Sequence, residues 1–276
     1  MTEASKKVRI ADAHTHIFPQ KIAVKASNAI GKFYDIPMEY DGMTESLLSA
    51  GKKIGVGKYL VCSSATTPAQ VMSINNFIFE QCNAHSEFMG FGTLHAYMEE
   101  PDKEIDRILE MGLKGIKLHP DFQLFDIDDE KAIPIYRRLA KEKLIVLFHT
   151  GDKRYEYSSP QKLRRVVDMI PDFVCMGAHF GGYNRWEDAR IFSNHPNIYY
   201  DTSSALFKLP ADEAVDIIKE FGEDRFMFGT DYPMWDHEDE LGRFNTMKLT
   251  SAQREKIFYK NFEKLFGVEV PEIALP

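Results

Sequence analysis

The chain has 276 residues, 44% of them hydrophobic and 28% charged, an ordinary globular balance that argues against disorder and low complexity. A formal net charge of -8 and a pI near 5.6 argue against a non-specific binder of nucleic acid or anionic membrane, which needs a basic patch to replace counterions. Cys62, Cys82 and Cys175 are odd in number and form no Cys-x-x-Cys pair, which suggests neither a disulfide framework nor a thiolate zinc site and points to a reduced, cytoplasmic setting.

Met1 to Arg9 carries two lysines, but no apolar region follows before Asp12, so a cleaved signal peptide is not expected. The first predicted strand, about Val8 to Phe18, contains Ile10-Ala-Asp-Ala-His-Thr-His-Ile17. Residues two apart share a face of an extended chain, so Asp12, His14 and His16 are expected to point the same way. Their imidazoles would lie about 6 to 7 Å apart and could close on one metal ion if other segments supply further ligands. An irregular stretch with Pro19, Gly31, Pro37 and Gly42 follows, long enough to read as a functional loop or lid.

From there strand-like and helical runs alternate. Thr44 to Ile54 reads as a helix, Lys58 to Ser64 as a strand, Pro68 to Ala84 as a helix and Phe88 to Ala96 as a strand. Asp102 to Met111 is helical, Gly115 to Pro120 a strand, and Asp128 to Lys143 a helix with a kink expected at Pro134. Leu144 to Gly151 is a continuous apolar strand of the kind buried on both faces, too short to cross a bilayer. Pro160 to Ile170 is helical, Phe173 to Gly182 a strand, Trp186 to Ser193 a helix, and Ile198 to Ser203 a strand. Ala211 to Phe221 is a helix, Phe226 to Pro233 the last strand, and Ser251 to Phe266 an amphipathic tail. Eight β/α units in about 250 residues is the arithmetic of an α/β fold of the (β/α)8 TIM-barrel type, here one domain spanning 1–276. A doubly wound sheet would leave two units unplaced.

Six of nine histidines, His14, His16, His95, His119, His149 and His179, fall at or beside the C-terminal end of a predicted strand. In such a barrel that rim carries the catalytic residues, and Asp231 joins it from the last strand. Three imidazoles and a carboxylate select a borderline divalent ion, zinc above all with manganese as the alternative, and leave a position open for water. His95 reads more readily as part of a packed layer, and Asp12 as a support for the ligands or a structural residue. Arg154 and Arg185, on the loops after strands 5 and 6, are candidates to bind a substrate carboxylate bidentately. Tyr232 and Trp235 either wall the pocket or pack beside Asp231.

Ala-His-Thr-His, Gly-Ile-Lys-Leu-His-Pro, Phe-His-Thr-Gly, Ala-His-Phe-Gly-Gly, Phe-Gly-Thr-Asp-Tyr-Pro and the closing Ile-Phe-Tyr-Lys-Asn-Phe-Glu-Lys-Leu-Phe-Gly together resemble the amidohydrolase superfamily. The resemblance is to its amidohydrolase-related branch of TIM-barrel hydrolases and decarboxylases. It implies His14, His16, His149 and Asp231 as metal ligands and His179 as a catalytic or ligand residue. Lys117 occupies a place comparable to that of a carboxylated, metal-bridging lysine in some members.

The leading expectation is a hydrolase in which Asp231 deprotonates a zinc-bound water that attacks an amide, lactone or ester of a small, carboxylated substrate. His179 would orient the nucleophile, and Lys117 or His119 would polarise the carbonyl. The alternative is a non-oxidative decarboxylase or hydratase of an unsaturated or aromatic acid, from which the chain's shortness tilts the reading away. A barrel that binds metal without turnover is a third, remote alternative. The partner expected is a small molecule rather than nucleic acid or membrane, and a homodimer is left open.

Overall fold

The computed structural model describes residues 6–193 and 195–275, so Met1 to Ser5 of the stretch read for a leader lie outside the described residues. Eight strands pair in chain order, all in parallel. They are β1 (Ile10–His16), β2 (Val56–Cys62), β3 (Phe88–Thr93), β4 (Gly115–Leu118), β5 (Ile145–Phe148), β6 (Cys175–Gly177), β7 (Ile198–Asp201) and β8 (Phe226–Met227).

The chain beyond β8 returns to β1. The Ala13 N–H donates to Phe228 O at 2.8 Å, Asp231 N–H to His14 O at 2.9 Å and His16 N–H to Tyr232 O at 2.7 Å. With these contacts the sheet closes into a (β/α)8 TIM barrel. A separate two-stranded ribbon pairs Lys7–Val8 with Ile273–Ala274.

The helices lie between the strands: α1 (Ala23–Tyr34) and α2 (Thr44–Ile54) after β1, α3 (Val71–Ala84) after β2, and α4 (Pro101–Glu110) after β3. Next come α5 (Pro120–Gln123) and α6 (Ala132–Lys141) after β4, α7 (Pro160–Met169) after β5 and α8 (Trp186–Ala189) after β6. They are followed by α9 (Ala211–Phe221) after β7, then α10 (His237–Asn245), α11 (Ser251–Glu255) and α12 (Asn261–Phe266).

Among the departures from expectation, which include the unforeseen helices α5 and α10, two have a direct physical reason. The stretch read as an irregular loop holds α1, whose buried stripe is Ala23, Ser27 and Gly31. These small residues at i, i+4 and i+8 give close packing without a hydrophobic signal. The expected kink at Pro134 is absent because α6 begins at Ala132, which places the proline in the first turn, where its missing N–H has no helical partner to lose.

One buried cluster packs the helices onto the barrel's outer face, with Val61, Ile78, Ile116, Val146 and Phe148 among its members. A second brings together Ala11, Ala13, Leu60, Phe91, Leu147 and Met176 with Phe262 and Val270 from the end of the chain. The parity of β1 changes along its length. Asp12 pairs with Tyr59 but Thr15 with Val61, so β1 carries one extra residue between them. Such a bulge reverses which side chains face inward. Asp12 therefore faces away from His14 and His16, against the same-face expectation, and meets Thr230 and His237.

Candidate metal centre and cavity

The bulge turns both imidazoles of β1 toward the mouth of the barrel. His14 Nε2 and His16 Nε2 lie 3.2 Å apart, and Asp231 Oδ1 is 3.6 Å from the first and 3.4 Å from the second. Asp231 sits in the left-handed region at φ 58°, a conformation uncommon outside glycine. Its N–H bond to His14 O holds it there, and Ser204 Oγ donates to its second oxygen at 2.5 Å. Trp235 Nε1 in turn donates to Ser204 Oγ at 2.8 Å.

Protonation follows from the contacts. His14 Nδ1 is 3.0 Å from Asp201 Oδ2, which places its proton on Nδ1 and leaves the Nε2 lone pair facing His16 and Asp231. Burial, reinforced by Lys117, drives the His14 pKa well below its usual value. Burial works to raise Asp231, but His14, His16 and His179 outweigh it and hold the carboxyl well below the usual range. His16 is pushed by burial downward and by Cys62 and Asp231 upward, to about 9. Two imidazole nitrogens and a carboxylate oxygen at these separations fit a divalent cation, which would take the place of the His16 proton.

Three further histidines, His119, His149 and His179, form a directional chain with Tyr34. His119 Nδ1 faces the Phe122 N–H at 3.4 Å, so its Nε2–H donates to Tyr34 Oη at 2.8 Å. Tyr34 then donates toward His149 Nε2 at 3.4 Å. His149 Nδ1 lies 3.1 Å from His179 Nε2, and His179 Nδ1 donates to Ser203 O at 3.0 Å. His119 and His149 stack at 4.0 Å with planes 6° apart. Asp121, raised by burial to about 6, lies 3.7 Å from His149 Nε2.

The sequence-derived residues thus separate into groups. His14, His16 and Asp231 converge; a second convergence, His14, His179 and Asp201, shares His14 through its opposite nitrogen. His149 lies one ring further out, outside both groups of three among the described residues. Lys117 Nζ is 2.9 Å from His14 Nε2, and burial lowers its pKa.

Arg154 is held by Asp152 at 2.7 and 3.0 Å, donates to Phe33 O, and lies over the Phe33 ring at 4.6 Å. Arg185 pairs with Asp188 at 2.6 Å and Glu156 at 3.0 Å and lines a separate outer cleft. Neither lines the cavity above His14, His16 and Asp231. His95 accepts the Tyr97 N–H at 3.2 Å and also lies outside that lining. Tyr232 is buried, donating to Met43 O at 2.8 Å.

That cavity has a volume of about 690 Å³, with His14, His16, Lys117, His149, His179 and Asp231 among its lining. Sequence reading missed Asp201, Ser203, Ser204 and Tyr34. For Asp201 a signal existed, since it ends β7 at the rim where the histidines were sought. Gly229 is explained as well: a Cβ there would lie 3.2 to 3.3 Å from the Cβ atoms of His14, Asp201 and Ser203, so only glycine lets the three approach without shifting.

A family model described as Amidohydrolase matches residues 11–268. The chain belongs to the amidohydrolase family. No curated protein matches the sequence. Among solved structures, an uncharacterized TIM-barrel protein from Bordetella bronchiseptica is similar at 18% identity and a TM-score of 0.77, over 94% of this chain and 99% of that one. A 5-carboxyvanillate decarboxylase from Novosphingobium aromaticivorans with bound manganese is 17% identical at a TM-score of 0.74, over 94% and 97% of the two chains. A protein assigned as a 2-pyrone-4,6-dicarboxylic acid hydrolase from Pseudomonas putida is 15% identical at a TM-score of 0.67, over 95% and 99%. At these identities the likeness is one of fold.

Proposed function

We propose that the protein is a metal-dependent hydrolase of a small carbonyl compound, an ester, lactone or amide, acting as one domain. The observation that carries this reading is the convergence of His14 Nε2, His16 Nε2 and Asp231 Oδ1 within 3.2 to 3.6 Å at the floor of a cavity of about 690 Å³. His14, His16 and Asp231 would hold the ion, with His149 as the fourth donor. Zinc suits the nitrogen-rich set, and manganese is the alternative.

When bound, such an ion supplies Lewis acidity and a water that ionises near neutrality. Asp231, anionic and oriented by Ser204, accepts the proton of the attacking water and passes it to the leaving group. His179, neutral and fixed by Ser203, takes the His149 Nδ1–H on its Nε2 and so orients the nucleophile through the imidazole it holds in place. Lys117 and the His119–Tyr34 pair stand as donors to the carbonyl oxygen as charge develops on it. The three cysteines, all free, fit a reduced cytoplasmic setting.

Decarboxylation of an aromatic acid is the second reading, favoured by the similarity to 5-carboxyvanillate decarboxylase. Chain length does not separate the two, because 97% of that decarboxylase is covered. The assay that decides is metal-reconstituted protein offered phenyl acetate, dihydrocoumarin and acetanilide in a pH-stat, and 2,6-dihydroxybenzoate with carbon dioxide capture. Metal-dependent acid release supports hydrolysis; carbon dioxide release without it overturns the proposal.

A further inference from the structure

The wall of the cavity opposite the metal donors narrows the substrate class, and this step rests on the hydrolysis reading for what happens at the floor. Above the donors the lining comes from Ile30 and Phe33 of α1, Met38, Ile74 and Phe77 of α3, and Phe122 of α5. Apart from histidines, the charged side chains of that lining are Lys117 and Asp231 at the floor and Lys25. Lys25 is exposed, so water screens it. The two arginines that sequence reading offered as a carboxylate clamp are bound by Asp152, Asp188 and Glu156 instead.

An anionic group on the body of a substrate would leave water for a wall that offers it no cation, and that desolvation is heavily unfavourable. One polar group of that lining is left without a partner. Ser64 lines the same cavity, and its hydroxyl has no hydrogen-bond partner and is turned out of contact with solvent, so a turn about its Cα–Cβ bond would bring it to a ligand. A buried polar atom without a partner is rare in a folded chain, and a ligand atom would satisfy it.

We propose that the site takes an uncharged, ring-bearing carbonyl compound whose apolar body lies between α1 and α3 and whose neutral polar substituent bonds Ser64. The carboxylated substrate expected from sequence is thereby replaced.

Ketones that cannot be hydrolysed separate binding from turnover. On the zinc-loaded protein, acetophenone and 4-acetylbenzenesulfonate are compared by competition equilibrium dialysis; the sulfonate is a poor metal ligand and so reports the far wall. Acetophenone is expected to bind at least ~10-fold more tightly. Ile30→Arg is expected to bring the sulfonate within ~3-fold of acetophenone, because the guanidinium supplies the missing partner. 4-Hydroxyacetophenone is expected to bind more tightly than acetophenone in the native protein and equally in Ser64→Ala.

Equal or tighter sulfonate binding by the native protein overturns the proposal whether or not the variant folds, and an unchanged phenol preference in Ser64→Ala overturns the role of Ser64. A neutral-ligand preference without hydrolysis of any ester, lactone or amide leaves this inference standing and removes the hydrolysis reading. Hydrolysis that prefers 4-sulfophenyl acetate to phenyl acetate does the reverse.

Discussion

The Asp201 carboxylate stands behind His14, 3.0 Å from its Nδ1, and is itself held by the N–H groups of His179 at 3.2 Å and Ser203 at 3.1 Å. One buried acid from β7 thus selects the tautomer of a proposed metal donor on β1 and ties it to the loop that carries His179. Asp201→Asn would present an amide N–H to His14 Nδ1 and favour the tautomer whose Nε2 is protonated. Metal affinity is expected to fall about 10- to 100-fold, read by competition against a chromogenic chelator, and retention of native affinity would refute the assignment.

Asp231 has two tasks in the proposed site, weak ligand and base, and they respond differently to one change. Asp231→Asn keeps an oxygen for the ion but cannot accept a proton, so kcat is expected to fall at least about 100-fold while metal content falls less. The double change His14→Ala with His16→Ala is expected to empty the site by elemental analysis. Zinc retained in the double variant would show that the metal sits elsewhere.

The barrel and its rim were legible in the chain because strand periodicity and terminal histidines are local signals. Parity was not. A period-two reading puts Asp12 beside His14, but the extra residue between Asp12 and Thr15 sends Asp12 to the opposite side, where its oxygens take the Thr230 hydroxyl at 2.6 Å and the His14 N–H at 3.2 Å. The α1 helix hid for a different reason: its buried stripe is small, and its large apolar residues Ile30 and Phe33 point into the cavity rather than the core. Arg154 looked free in sequence because the carboxylate that occupies it, Asp152, is only two residues away and needed a particular loop shape to reach it.

Arg154 accordingly anchors α1 rather than a substrate. Arg154→Ala removes its bond to Phe33 O and its contact with the Phe33 ring. Amide exchange is expected to quicken over 23–34 while global stability falls by no more than about 1 kcal/mol, since the site is partly exposed. Discrimination between charged and neutral ligands should stay as in the native protein; a specific loss of anionic-ligand binding would restore the clamp reading.

Glu240 on α10 is buried, and burial raises its carboxyl to about 8 against the opposing Arg243 guanidinium, with Asp231 and Asp12 adding to the rise. Its folded pKa thus exceeds the unfolded value of 4.5. The folded state holds the proton more tightly, so this group's contribution is fully present below pH 4.5 and is lost as pH rises through about 8. Glu240→Gln cannot ionise and is expected to flatten the fall in melting temperature between pH 5 and 9. Parallel curves for variant and native protein would show that Glu240 does not titrate in this window.

Gly229 tests whether the close approach of β1, β7 and the chain after β8 matters to the metal. A Cβ there meets three other Cβ atoms, none of which is the far end of a flexible chain, so relief requires the backbone of His14 or of 201–203 to move by a few tenths of an ångström. Gly229→Ala adds only a methyl and favours neither unfolding by polarity nor a new ligand, so its effect should concentrate on donor geometry. The expected result is a drop in zinc affinity of about 10-fold with a melting temperature of the zinc-free protein within a few degrees of native. Loss of stability with unchanged zinc affinity would mean that the three segments are crowded for packing alone, and that the donors tolerate the shift.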